Sequence, residues 1–245
     1  MNKVLVFLFC YLFFAPINAQ VSEMMGFRDY RDIADAYFMK LKENAKFDIS
    51  DIQGSPFLME DFQMGYIVDT KSENKAQTYL RYDVYNDVFE IRLDPNSESL
   101  KTLKRTPRYK YKIGNETFIL IESPDAINEE HYTSGNGYVV ELTSPEAEAV
   151  LYKRYFKELK SGSKALTSYQ QDVPPSIDSD SRYIIKFGDN YVRAEDHRKK
   201  ILDAFPDHQK DMKKYIKDKG FKFRGTDREI QNEMIQVVRY YNSLQ

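Results

Sequence analysis

The chain has 245 residues, with 36 basic and 38 acidic side chains, a formal net charge of -2, one cysteine, no tryptophan, 19 tyrosines and 16 phenylalanines. A composition of 30% charged and 42% hydrophobic residues is that of a folded globule, and it excludes a disordered chain, a low-complexity fibre and a multi-span membrane protein. A single cysteine excludes an internal disulfide framework and a CxxC site, and the near-neutral balance leaves attraction to nucleic acid or anionic lipid to local patches.

Met1-Asn2-Lys3, eleven apolar residues from Val4 to Phe14, and Ala15-Pro16-Ile17-Asn18-Ala19 read as a signal peptide cleaved after Ala19. An apolar run of that length falls short of the roughly 20 helical residues a bilayer core requires. Leu8-Phe9 before Cys10 stand where lipoprotein processing needs a small residue, so export by cleavage is the reading. The expected product is periplasmic or extracellular, free of thiols and not integral to the membrane.

Residues 20–49 are expected to hold a leading helix, because Met25, Ile33, Tyr37, Phe38 and Leu41 recur at helical spacing. Gly54-Ser55-Pro56 ends that pattern. From Gln63 the texture changes to period two. Leu80, Tyr82 and Val84 pair with Phe89, Ile91 and Leu93 as a hairpin turning at Tyr85-Asn86-Asp87. A second hairpin joins Tyr109, Tyr111 and Ile113 to Phe118–Ile121 through Gly114-Asn115. A strand follows at Tyr138–Leu142, and Val150–Lys157 reads as another. Lys160–Ser181 reads as a polar loop, and Tyr183–Phe187 with Tyr191–Arg193 as a last hairpin.

Beyond Ala194 the reading is helical. One helix is predicted over Glu195–Phe205, and a second from Pro206 to a left-handed cap at Gly220. A third is opened by the capping box Thr226/Glu229, with Ile230, Met234, Val237, Val238 and Tyr241 on its apolar face. The fold class is therefore α+β: an N-terminal helix, an antiparallel β-meander forming a curved sheet or partial barrel, and C-terminal helices. The divisions are 1–19, 20–49, 50–193 and 194–245, with everything after the signal peptide in one domain.

Chemistry-bearing motifs are scarce. The three histidines show no HxH, HxxxH or HExxH spacing, there is no G-x-S-x-G elbow, and Gly162-Ser163-Lys164 lacks the upstream glycine of a phosphate loop. No catalytic residue, metal or cofactor is assigned, and the reading leans away from an enzyme. The charge anomaly noted is Lys101–Lys112, six bases without an acid. A strand there puts Arg108, Lys110 and Lys112 on one face and Tyr109 and Tyr111 on the other. That separation argues against a nucleic-acid stacking platform. With Lys104 and Arg105 these residues form the candidate docking patch for an anionic envelope component or another envelope protein. Its bland alternative is a lysine-rich edge that discourages strand pairing.

Gly54-Ser55-Pro56-Phe57-Leu58, then Phe62 and Gly65, then Leu80-Arg81-Tyr82-Asp83-Val84-Tyr85-Asn86-Asp87 resembles a group of uncharacterised secreted proteins of Bacteroidota-type bacteria, which carry Gly-x-Pro-Tyr-Leu before Leu-Arg-Tyr-Asn-x-Tyr. The resemblance implies bacterial origin and export, and it transfers no site residue. The function expected is that of a secreted or periplasmic, non-catalytic, envelope-associated binding protein. The alternatives are a carboxylate-dependent hydrolase of cell-wall or polysaccharide material, which needs two acids facing one pocket, and a carrier of an apolar ligand inside the curved sheet.

Overall fold

The computed structural model describes residues 52–94, 100–122, 136–167 and 169–245, together with the backbone of Arg28 and Asp29. Its centre is an eleven-stranded antiparallel sheet. The strands are β1 (Arg28–Asp29), β2 (Gln63–Asp69), β3 (Lys75–Asp83), β4 (Val88–Arg92), β5 (Lys101–Thr102), β6 (Tyr109–Ile113), β7 (Glu116–Glu122), β8 (Asn136–Glu141), β9 (Ala149–Lys160), β10 (Ser176–Phe187) and β11 (Asn190–Ala194). Two helices follow, α1 (Gln209–Lys219) and α2 (Asp227–Asn242). The α+β class and both central hairpins are as the period-two texture predicts.

The order across the sheet is β1-β5-β4-β3-β2-β6-β7-β8-β9-β10-β11. Strands β2 to β5 run outward as a meander. The chain then returns so that β6 pairs with the other side of β2, and β6 to β11 meander on. The sheet is curved and does not close. Residues 53–58 bridge part of the opening: Gln53 lies parallel to Ser176 of β10, and Phe57 pairs antiparallel with Asp83 of β3. Gly54 permits this crossing with a φ of +89°, and a side chain there would run into the Ile177 carbonyl.

Alternation decides which face is covered. On β6 the odd residues Tyr109, Tyr111 and Ile113 are buried while Lys112 is exposed. The inward rings Tyr82, Phe89, Tyr111, Phe118 and Tyr138 stack or meet edge to face at centroid separations of 4.3 to 6.0 Å. They join Ile67, Leu80 and Ile91 in one apolar cluster. A second cluster lies where α1 and α2 cover β9 to β11, with Leu151, Tyr183 and Ile185 against Met212, Ile216, Met234 and Val237.

The helices form for the reasons read from sequence. Thr226 and Glu229 make the reciprocal capping box of α2, and Met234, Val237, Val238 and Tyr241 are its buried face. At the end of α1, Gly220 takes φ +70°. Its N–H donates to the Lys217 carbonyl while Phe221 N–H donates to Ile216, a Schellman termination.

Three expectations change, and a fourth, the leading helix over 20–49, lies almost wholly outside the described residues. The helix predicted over Glu195–Phe205 is only a 3-10 turn, Ile201–Ala204, because 195–200 offers no apolar face to bury and Pro206 disfavours helix at the residue before it. Helix α1 starts at Gln209 rather than Pro206, since His208 sits at φ +54°. The polar loop is shorter than predicted: β10 begins at Ser176, where backbone pairing with Lys160 of β9 substitutes for side-chain alternation. Of the leading helix, only Arg28 and Asp29 lie among the described residues, and they are strand. The signal segment lies outside the described residues. No helix among the described residues is long and apolar enough to cross a membrane.

Candidate docking surfaces

The basic strand is built as predicted, but its charges are largely spent within the fold. Arg108 donates through Nε and Nη2 to Oδ2 of Asp69, at 3.0 and 2.7 Å, while Oδ1 of the same carboxylate accepts Lys71 N–H at 2.8 Å. The Arg108 guanidinium holds Asp69 below the usual carboxylate range. Lys110 reaches both oxygens of Glu141 on β8 at 3.1 Å.

Arg105 turns away from solvent. Its Nη2 donates to Oδ2 of buried Asp87 at 2.5 Å and to the Asn136 carbonyl at 2.8 Å. Asp87 also accepts the Tyr82 hydroxyl at 2.5 Å and Tyr138 N–H at 3.2 Å, and Arg154, fully buried, lies 3.8 Å away. Glycine at 137 leaves room for the Arg154 guanidinium, which a Cβ there would force to shift. This polar knot fastens the turn between β3 and β4 onto β8. Of the five candidate docking residues, Lys104 and Lys112 remain exposed with no carboxylate partner among the described residues.

Register then adds what the basic strand alone does not show. Tyr66 of β2 lies directly opposite Lys112 on β6 and opposite Gln77 on β3, and Lys112 lies opposite Thr117 on β7. The row Gln77, Tyr66, Lys112, Thr117 therefore shares one face, spanning about 15 Å at ordinary strand spacing. Tyr66 is 41% exposed and Met64, two residues along β2, is 47% exposed. The separation of aromatics from cations inferred within β6 holds for Tyr109 and Tyr111, which are buried, but β2 places another ring beside Lys112. Gly65 lets the two strands lie close, since a Cβ would meet the Lys112 carbonyl and Leu80.

The segment that leads into β2 has a structural job. Phe57 and Phe62 lie over the Arg81 guanidinium at 3.6 and 4.5 Å, and Arg81 donates to Glu90 at 2.9 and 2.7 Å. Asp83 beside them is buried, which pushes its carboxyl up to about 6, against the lowering by Asn86 N–H and side-chain amide.

A further cluster joins α2 to the sheet. Lys153, wholly buried on β9, donates to Asp227 at 2.5 Å and Gln231 at 3.3 Å and lies 4.6 Å over the Tyr155 ring, while Tyr155 donates to Glu116 at 2.5 Å. Burial and the Glu116 bond push the Tyr155 hydroxyl above its ordinary value. Every strong contact of Lys153 ends within the fold, as befits a tie. Among the described residues no group of three or more His, Cys, Asp or Glu could hold a metal ion.

A second surplus of positive charge lies elsewhere, and it was missed from sequence. Residues 209–224 hold seven bases, Lys210, Lys213, Lys214, Lys217, Lys219, Lys222 and Arg224, against Asp211 and Asp218. All seven are exposed. Two interspersed acids hid a run of which a helix gathers four lysines on one arc. Compared with protein-family models, curated proteins and solved structures, the chain matches none.

Proposed function

We propose that this is an exported, non-catalytic binding protein of the bacterial envelope, which holds an anionic envelope polysaccharide on the solvent face of β3, β2, β6 and β7. The observation that carries the reading is the exposed Tyr66 directly opposite Lys112, with Met64 beside it, on strands whose other face is packed. An aromatic ring on a rigid sheet offers an apolar body to the C–H face of a sugar and a polar tip to its hydroxyls. The neighbouring ammonium pairs with a uronate carboxylate, and the flanking Gln77 and Thr117 supply hydrogen-bond groups. The stacked rings that fill the inner face favour this outer surface over an interior apolar carrier site.

The test is binding of the chain to polygalacturonate, with neutral dextran as comparator, followed by biolayer interferometry. Tyr66→Ala should weaken binding at least about fivefold, the loss of about 1 kcal/mol that most interface residues do not reach. Lys112→Gln should lower affinity less and flatten its salt dependence. Equal binding to dextran, or an unchanged affinity in Tyr66→Ala, defeats the reading.

A further inference from the structure

Helix α1 carries its charge differently from the sheet. With 3.6 residues per turn, Lys210, Lys213, Lys214 and Lys217 fall within an arc of about 100° and an axial length of about 10 Å. Met212 and Ile216 lie on the face buried against α2 and the sheet, and Asp211 and Asp218 fall together at the margin of the lysine arc. An ion-pair-laced surface helix would interleave the signs at i, i+3 and i, i+4, but of these four lysines only Lys214 has acids of the helix at those spacings, Asp211 and Asp218. Here none of the four lysines is paired with a carboxylate among the described residues. Lys222 and Arg224 extend the exposed positive charge past the end of the helix.

The chemistry of the stripe narrows its partner. Ammonium groups on flexible stems attract diffusely and lack the planar fork that reads a phosphate bidentately. No ring interleaves with the four lysines, so neither a base nor a sugar finds a stacking face there. The apolar face of the helix is committed to the core, so it cannot sink into lipid as an interfacial helix does. What remains is attraction of a convex row of lysines to a broad anionic surface. We propose that α1 is a docking surface for anionic phospholipid headgroups, holding the protein peripherally against a membrane by charge alone. This is independent of the polysaccharide reading, which rests on Tyr66 and Lys112.

The experiment is co-sedimentation of the chain with vesicles of 30% phosphatidylglycerol in phosphatidylcholine, taking binding in excess of that to pure phosphatidylcholine. The excess should be present at 50 mM salt and largely lost at 500 mM, where screening shortens to a few ångströms. Lys213→Gln/Lys217→Gln should reduce the excess partition coefficient roughly thirtyfold, the effect of two lysines near such a surface. Tyr66→Ala/Lys112→Gln should leave it intact. Equal binding to both vesicle types, or an unchanged excess in the helix variant, overturns the proposal. Binding to polygalacturonate that the helix variant loses, with no vesicle excess, overturns it in favour of a polymer site on α1.

Discussion

Strand β6 with its approach from Lys104, and helix α1, both present lysine and arginine in quantity, yet the fold treats them differently. Arg105 and Arg108 end on buried carboxylates of Asp87 and Asp69, and Lys110 ends on Glu141. Lys210, Lys213, Lys214 and Lys217 of α1 are exposed and end on no carboxylate among the described residues. A run of bases in a sequence thus has two fates, and its density does not decide between them. The deciding factor is whether the neighbouring chain brings a carboxylate with too little water of its own. Around β6 the turns of two hairpins do so, whereas α1 lies on the outside with its only acids at the margin of the lysine arc.

The largest effect that separates the two regions should come from Asp87→Ala. It removes the buried carboxylate that Arg105 and Arg154 share, and we expect a loss of about 3–5 kcal/mol, as for other broken buried ion pairs. Urea denaturation measures it. A loss under about 1 kcal/mol would mean that the knot is ornamental.

Next comes the buried acid beside the Arg81–Glu90 pair. Asp83 has its folded value raised to about 6 from an ordinary value of 3.8. In the window between them the folded state binds more protons than the unfolded, so this group makes stability fall as pH rises from about 4 to about 6. Asp83→Asn should therefore stabilise the protein at pH 7.5 by up to about 3 kcal/mol and bring little at pH 4. Urea midpoints at the two pH values read the difference. Asp69 acts in the opposite sense: its value is lowered, so its contribution is present at neutral pH and disappears as pH falls below the ordinary carboxylate range.

Smaller still is Lys110→Gln, which breaks a part-exposed pair with Glu141 and should cost about 0–1 kcal/mol. Smallest is Lys213→Gln/Lys217→Gln on α1, expected to change stability by no more than about 0.5 kcal/mol per site, since nothing in the fold leans on those ammonium groups. Thermal unfolding of both variants checks the ranking.

Local pattern made much of this legible in the sequence. The alternation of Tyr109 and Tyr111 with Lys110 and Lys112 fixes which side of β6 is buried. Thr226 with Glu229 marks the start of α2, and Gly220 marks the end of α1. What escaped depends on contacts far apart in the chain. The acids that capture Arg105, Arg108 and Lys110 lie 18, 39 and 31 residues away. Tyr66 meets Lys112 only because β6 returns to the open side of β2, a topology that period-two texture does not encode. The start of β10 escaped for a related reason, since Ser176–Ser181 has polar side chains and is strand by virtue of its partner. The basic helix was a different kind of omission. Its residues are adjacent, and projection onto 100° per residue gathers four of its lysines on one arc, with Asp211 and Asp218 at the margin of that arc, without any tertiary knowledge.

The central claim is that Arg105, Arg108 and Lys110 around β6 belong to the fold and the lysines of α1 do not. A single series of thermal unfolding curves tests it, comparing Arg105→Gln/Arg108→Gln with Lys213→Gln/Lys217→Gln. The strand variant should melt at least about 5 °C below the parent, as expected when buried carboxylates lose their partners in a chain of this size, while the helix variant melts within about 2 °C of it. Equal melting of the two variants, or a greater loss in the helix variant, would contradict the account.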